Sequence, residues 1–444
     1  MASPKLALQS DGKRWQAMAL SREKGPDMRW EIEDTPERTA FRSEFRAWLR
    51  DAVPAPWMDL VDAGDDVALE RLKADSGFNP FVWQGTIGRS PYAAPLWPKE
   101  YGGLSSETWM QQVIRSELVR YRLPTVSINL LGVGLAGPTI IEHGTEAQKE
   151  RYLRKILSAE EIWCQLFSEP GSGSDLASLS TRAVRDGDEW VVNGQKVWTT
   201  IAQFAAFGML LARSDPDVPK HEGLSYFILD MKSPGVDIRP LRQMTGSSEF
   251  NEVFLTDVRI PDANRVGDVG DGWRCARTTL MNERVALAGV SLDPVSFTGG
   301  IRRDAWQSYL DQIPDRTDRR VRQRLAQFYI ESEVKEITAF RANSARMRGQ
   351  QPGPEGAVNK VFNAEYNQRR SSFAVDVNGM AGIAWAPDDG QAQARATTFL
   401  RARANTIEGG TSEVLRNQMA ERILGLPRDP EADKGAAWAQ VARN

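Results

Sequence analysis

The hydrophobic period of this chain changes twice, and that double change limits the fold more than any other feature. Over 38–50, Phe41, Phe45 and Trp48 recur at helical spacing, and helical patterns resume over 108–157. From about 161 to 261 apolar residues alternate instead, and Asp186-Gly187 and Asn193-Gly194 flank the short run 188–192. Two-residue turns of this kind need positive backbone angles, which Asn, Asp and Gly tolerate. Further strand candidates are 207–212, 225–231, 236–241 and 252–260, so an antiparallel β-barrel or sandwich is expected. From Trp273 onward the helical period returns, as in a bundle.

A length of 444 residues exceeds what one core normally serves. The expected class is α+β, with a helical domain at 36–160, a middle antiparallel β-barrel at 161–272 and a C-terminal four-helix bundle at 273–430. An arm at 1–35 and a tail at 431–444 complete the chain. Residues 51–107, with Pro, Gly and aromatic clusters such as Pro95–Gly103, are expected to form a structured loop region.

Formal charge is only −3, with both signs mixed along the chain, which disfavours nucleic acid and anionic lipid as partners. The Arg-rich stretch 315–324 reads as a solvated or intersubunit helix face. The first residues lack an apolar signal-peptide core, and no apolar run reaches bilayer length, so a cytoplasmic protein without membrane insertion is expected. Cys164 and Cys275 are too few for a disulfide framework or a thiolate metal site. Only His143 and His221 could serve as ligand or base. Neither lies in HExxH; His143 precedes Gly144, a helix stop, and a capping box from Thr145 to Gln148, while His221 sits in a polar loop. No GxSxG occurs, so hydrolase and zinc chemistry fall back and no metal is expected.

Gly132-Val133-Gly134-Leu135-Ala136-Gly137 matches the dinucleotide pattern GxGxxG, which brings a nicotinamide dehydrogenase into consideration. A Rossmann unit would continue into a long crossover helix, yet Pro138 follows at once and no βαβ rhythm surrounds it, so these glycines read as close helix packing.

The segment 163–175, Trp-Cys-Gln-Leu-Phe-Ser-Glu-Pro-Gly-Ser-Gly-Ser-Asp, runs from a strand into a loop of small residues whose N–H groups can converge on an anion. Some thirty residues later, Asn193-Gly194-Gln195-Lys196-Val197-Trp198-Thr199-Thr200 adds an aromatic plane and two hydroxyls. Together they suit a flat heteroaromatic ring with a phosphate tail. The pair resembles the acyl-CoA dehydrogenase family, whose middle domain carries Ser/Thr-Glu-Pro-x-Ala/Ser-Gly-Ser-Asp followed at this distance by Asn-Gly-x-Lys-x-Trp-x-Thr. The resemblance extends from about 36 to 428.

What the resemblance implies is a helix–barrel–helix fold that binds FAD non-covalently, dehydrogenates an acyl-CoA thioester in lipid catabolism and passes electrons to an electron-transfer flavoprotein. It also implies a homodimer or homotetramer. Phe167 and Ser168 would face the isoalloxazine, Thr200 would hydrogen-bond the nitrogen that accepts hydride, and Trp198 would cover the ring beside Thr199. Gly173 and Ser174 match the segment near the pyrophosphate and the pantetheine arm, and Thr411-Ser412-Glu413 the segment at the flavin's adenosine half. A backbone N–H near Gly410 would hold the thioester carbonyl.

Two positions depart from the family pattern. The Arg-x-x-Phe-Gly stretch, an intersubunit flavin clamp, is absent after Glu283, with Arg322-Gln323 the only substitute, and the Gly-Gly pair before the last motif reads Asn378-Gly379-Met380. These departures keep open, beside a homomeric dehydrogenase, a subunit that mainly completes a heteromeric partner's flavin site; an acyl-CoA oxidase is a further alternative, because related oxidases share the scaffold but react with oxygen. Abstraction of an α-proton needs a base, and a carboxylate in an apolar, water-excluded pocket is expected to supply it. The family's Tyr-Glu-Gly-Thr motif places Gly409 at one base position and leaves Glu408 one residue early. Other members carry the base on a helix in a Glu-Arg pair, which Glu283 and Arg284 match, with Leu280, Met281 and Leu287 around them. Glu283 is therefore the expected catalytic base, and Arg284 the expected substrate-binding neighbour.

Overall fold

The computed structural model describes residues 35–289, 309–347, 355–384, 389–428, 430 and 435–441. The expected arm lies almost wholly outside them. Helix α1, Pro36–Ala52, begins with Pro at its first position and with Thr35 capping the Arg38 N–H, and it buries Phe45 and Leu49. Three short helices then occupy part of the stretch expected as loop: α2, Trp57–Ala63; α3, Asp66–Ser76; and α4, Pro80–Gly88. Gly64 and Gly77 end the first two in the left-handed conformation, and the Asp65 and Asn79 side chains cap the next. Each helix is too short for its apolar period to be read through this punctuation.

Helix α5, Thr108–Arg120, is tied to α1 through the buried Glu117 carboxylate, which takes Arg46 Nε at 2.6 Å and Arg42 from the same face. After an irregular stretch, one π-turn at Gly132–Ala136 leads into α6, Gly137–His143, and then α7, Glu146–Ser158, opens with the expected Thr145–Gln148 capping box. A Cβ on Gly137 would lie 2.0 Å from the Trp97 ring, so the GxGxxG glycine is a packing contact on the Pro95–Gly103 loop.

Eight strands follow: β1, Trp163–Leu166; β2, Arg182–Asp186; β3, Glu189–Thr200; β4, Phe207–Arg213; β5, Leu224–Asp230; β6, Val236–Leu241; β7, Phe250–Pro261; and β8, Arg265–Val266. Their order is β6-β7-β3-β2-β4-β5-β8, with β1 added to β4. Most pairs are antiparallel as expected; β1 runs parallel to β4, and β2 meets β4 in parallel at Arg182 and Arg213. Strands β4 and β5 are buried on both faces. Met209, Leu211, Tyr226 and Ile228 face a core shared with α6 and α7, whereas Leu210, Ala212, Phe227 and Leu229 face a second core with Trp190, Val253 and Leu255.

Helix α8, Gly272–Gly289, leaves the sheet and is fastened from two sides. Thr279 Oγ1 contacts Thr139 Oγ1 at 2.8 Å and the Tyr226 hydroxyl at 3.2 Å, and Thr278 Oγ1 contacts His143 Nε2 at 2.8 Å. His143 thus has a structural partner, and His221 rests on Trp273 at 4.8 Å. The last part is helical: α9, Arg319–Met347; α10, Glu355–Asp376; α11, Gly379–Ile383; α12, Gly390–Arg401; and α13, Ser412–Arg422. Among the described residues no helix is long and apolar enough to cross a membrane.

Candidate active site

Strand β1 delivers Phe167 and Ser168 to one end of the sheet. Phe167 is buried edge-on against Tyr226, and the Ser168 carbonyl accepts the Val197 N–H at 2.9 Å, which joins the two sequence motifs directly. Beneath that joint lies an ion pair that sequence reasoning missed. Glu169 Oε1 sits 2.9 Å from Lys196 Nζ, and the same carboxylate accepts the Ser180 and Thr181 N–H groups at 2.6 and 2.9 Å. Lys196, fully buried, also donates to the carbonyls of Phe167 at 3.0 Å and Leu211 at 2.8 Å. Burial alone would raise the Glu169 pKa, but Lys196 and the N–H donors hold it below the ordinary carboxylate value. Burial pulls Lys196 down against the pull of Glu169. The ionised pair stands, because all three ammonium protons have acceptors and a neutral amine could serve only two. The available signal was a lysine at an inward position of an alternating strand.

The loop beyond is an open rim. Ser172 is buried with its hydroxyl bonded to the Asp175 carbonyl at 2.6 Å, while Gly171, Gly173 and Ser174 are exposed and a Cβ on Gly173 would meet nothing within 4 Å. Opposite, β3 carries a register shift between Lys196 and Thr199, and Trp198 takes the left-handed conformation at φ 60°. The bulge leaves Trp198 59% exposed, with Phe250 edge-on at 6.0 Å. Thr199 is wholly buried, and its hydroxyl finds no hydrogen-bond partner among the described residues; Thr200 is half-buried at the strand end. An exposed aromatic side chain one residue from the Val197–Ser168 joint, together with an exposed loop of small residues beyond Ser168, fits a flat ring bearing phosphates.

Glu283 on α8 is half-buried, and Gln165 Nε2 donates to its Oε2 at 3.3 Å. That places the carboxylate beside β1, two residues before Phe167. Leu280 packs on the adjacent core; the side chains of Arg284 and Leu287 lie outside the described residues.

Glu408 is held differently. Arg401 grips both its oxygens at 3.1 and 2.8 Å, and Asn405 Nδ2 donates to Oε1 at 2.8 Å. Arg401 also lies 3.9 Å from Glu249, whose carbonyl accepts the Ile201 N–H, so this loop is tied to the end of β3. Gly409 and Gly410 have φ of 62° and 92°, and Lys360 Nζ donates to the Gly410 carbonyl at 2.5 Å. Burial lowers the Lys360 pKa, against Glu408 and Glu413. Thr411 caps α13 by accepting the Val414 N–H at 3.1 Å, with Glu413 exposed in the first turn. Arg322 is exposed on α9, and Gly379 has φ 52°.

A helix–sheet–helix chain whose sheet presents an exposed Trp198 and a small-residue loop, with a helical carboxylate against β1, is compatible with an enzyme that binds a flat, phosphate-bearing cofactor. Family models for the acyl-CoA dehydrogenase N-terminal, middle and C-terminal domains match residues 35–160, 164–258 and 270–424. The chain is 37% identical over 407 residues to acyl-CoA dehydrogenase IpdE1 of Mycolicibacterium smegmatis, covering 88% of this chain and 98% of that protein. It is 42% identical over 337 residues to acyl-CoA dehydrogenase FadE34 of Mycobacterium tuberculosis, covering 76% of this chain but only 45% of that longer relative. A solved structure described as the Tcur3481-Tcur3483 steroid ACAD superposes with TM-score 0.69 at 29% identity, covering 90% of this chain and all of that one. The ChsE4-ChsE5 complex from Mycobacterium tuberculosis superposes with TM-score 0.67 at 28% identity, over 90% of this chain and all of that one. The chain belongs to the acyl-CoA dehydrogenase family, whose members are FAD-binding flavoproteins.

Proposed function

We propose that this chain dehydrogenates an acyl-CoA thioester to the trans-2-enoyl-CoA with Glu283 as the base, and that electrons leave to an electron-transfer flavoprotein. The observation that carries the assignment is the position of two carboxylates relative to the motif strand. Glu283 receives the Gln165 side chain on β1, two residues before Phe167, and so lies at the strand that carries the first motif, whereas Glu408 sits on the 402–411 loop, where Arg401 and Asn405 hold it. Phe167, Ser168, Trp198, Thr199 and Thr200 would hold the ring of FAD, Gly173 and Ser174 its phosphates or the pantetheine arm, and Thr411 and Glu413 its adenosine half. Bound FAD supplies the acceptor for the β-hydride. Glu283 takes the α-proton onto its carboxylate, and a substrate-filled, water-excluding pocket raises its basicity toward the working pH. The N–H groups around Gly410 polarise the thioester carbonyl, with the loop held by Lys360.

A ring-bearing acyl group is the substrate class we favour, because a solved structure at 29% identity is described as a steroid ACAD. A heteromeric assembly is the second reading, supported by the missing Arg-x-x-Phe-Gly clamp and by two similar structures that each name two different chains. The test is the FAD content of the purified protein, followed by a panel of straight, branched and ring-bearing acyl-CoAs with an artificial electron acceptor. Turnover of ring-bearing thioesters without peroxide under air supports the reading. Peroxide in step with turnover indicates an oxidase, and FAD binding only after a related chain is added indicates the heteromer.

A further inference from the structure

The far C-terminal segment, expected only as a tail, docks on the sheet. Trp438 N–H donates to the Val218 carbonyl and Ala439 N–H to that of Pro216, both at 2.9 Å, and Ala437 bridges Pro219. The Trp438 indole, 9% exposed, lies over the Arg213 guanidinium at 4.5 Å and donates to the Ser178 carbonyl at 3.3 Å. Arg213 reaches the same loop, donating to the carbonyls of Ala177 and Leu179 and to that of Lys220. Lys220 closes the ring by contacting both Asp175 oxygens at 2.9 Å. A desolvated cation over an indole is a strong contact. The 435–441 segment, the 216–220 turn and Arg213 thus converge on the 175–179 stretch, which continues directly from the exposed Gly173–Ser174 rim.

We propose that residues 435–441 form a strap that positions this rim for the phosphate-bearing arm of the acyl-CoA, with Trp438 as the positioning residue. The inference rests on the reading of Gly173 and Ser174 as binding residues. It favours CoA over FAD because the strap holds the stretch that adjoins the solvent-open Gly173–Ser174 end of the loop, while Phe167 and Ser168 at its other end are held by Lys196 and Val197. A rim whose backing is lost samples more conformations, and the ligand must then order it on binding.

The test compares full-length holoenzyme with Trp438→Ala and Trp438→Phe. For Trp438→Ala we expect the KM for acyl-CoA to rise about tenfold, about 1.4 kcal/mol. Its kcat should stay within about twofold, with FAD content unchanged. Amides 171–179 should exchange hydrogen faster. Trp438→Phe keeps a ring over Arg213 and should recover most of both effects. Unchanged KM and exchange in Trp438→Ala, or a parallel loss of kcat and FAD, would overturn the proposal. If wild-type protein turns over no acyl-CoA, the proposed function fails, while the exchange of 171–179 still decides whether the strap orders the rim.

Discussion

Lys196 Nζ lies 2.9 Å from Glu169 Oε1 in the interior of the sheet domain, and this pair fastens the small-residue loop to the strand that carries Trp198. Its other two protons go to the carbonyls of Phe167 and Leu211, so one side chain fixes the exit of β1, the turn into the rim and the neighbouring strand β4.

Lys196→Met leaves Glu169 charged and without its cation, and a broken buried pair costs about 3–5 kcal/mol. Urea unfolding should show a loss of that size together with weaker FAD retention. A variant with wild-type stability contradicts the structural role.

Glu169 also sets an acid limit. Its folded pKa lies below the ordinary value, so its contribution is fully present above about pH 4.3 and is lost as pH falls through the depressed folded value. Thermal unfolding against pH should steepen in that acid window for wild type and flatten there for Glu169→Gln.

Thr200→Val removes a donor expected at the flavin nitrogen, where charge develops as hydride arrives. The rate of flavin reduction in rapid mixing should fall about tenfold or more while substrate binding changes little. Unchanged reduction removes Thr200 from that place.

Lys360→Met frees the Gly410 carbonyl and releases two glycines held at positive φ. Flavin reduction should slow while FAD content is kept, and hydrogen exchange at 408–411 should quicken. Rescue by Lys360→Arg would mark the hydrogen bond as the cause.

Strands β4 to β7 were legible because their period is simple: β6 begins and ends where alternation does, and β4 and β5 read as continuous apolar runs. Helices α2–α4 were hidden, since 7 to 11 residues bounded by Pro, Gly, Asp and Asn give too few apolar repeats. The two motifs were legible as a pair, but their partners were not. Glu169 with Lys196, Arg401 with Glu408, and Arg213 with Trp438 are meetings across 27, 7 and 225 positions, in which a charged or aromatic side chain is committed by tertiary packing that no local period records. The Glu408 side chain meets Arg401, a contact that the one-residue offset in the sequence does not foretell.

The direct measurement is flavin reduction by acyl-CoA in rapid mixing, with Glu283→Gln and Glu408→Gln compared as FAD-loaded enzymes. The proposed base assignment predicts that Glu283→Gln binds FAD and acyl-CoA yet loses nearly all reduction, because the amide cannot accept the α-proton. Glu408→Gln should retain most of it, since its loop keeps the Lys360 tie and the Thr411 cap. Normal reduction in Glu283→Gln with an inactive Glu408→Gln would contradict the account and move the base to the loop.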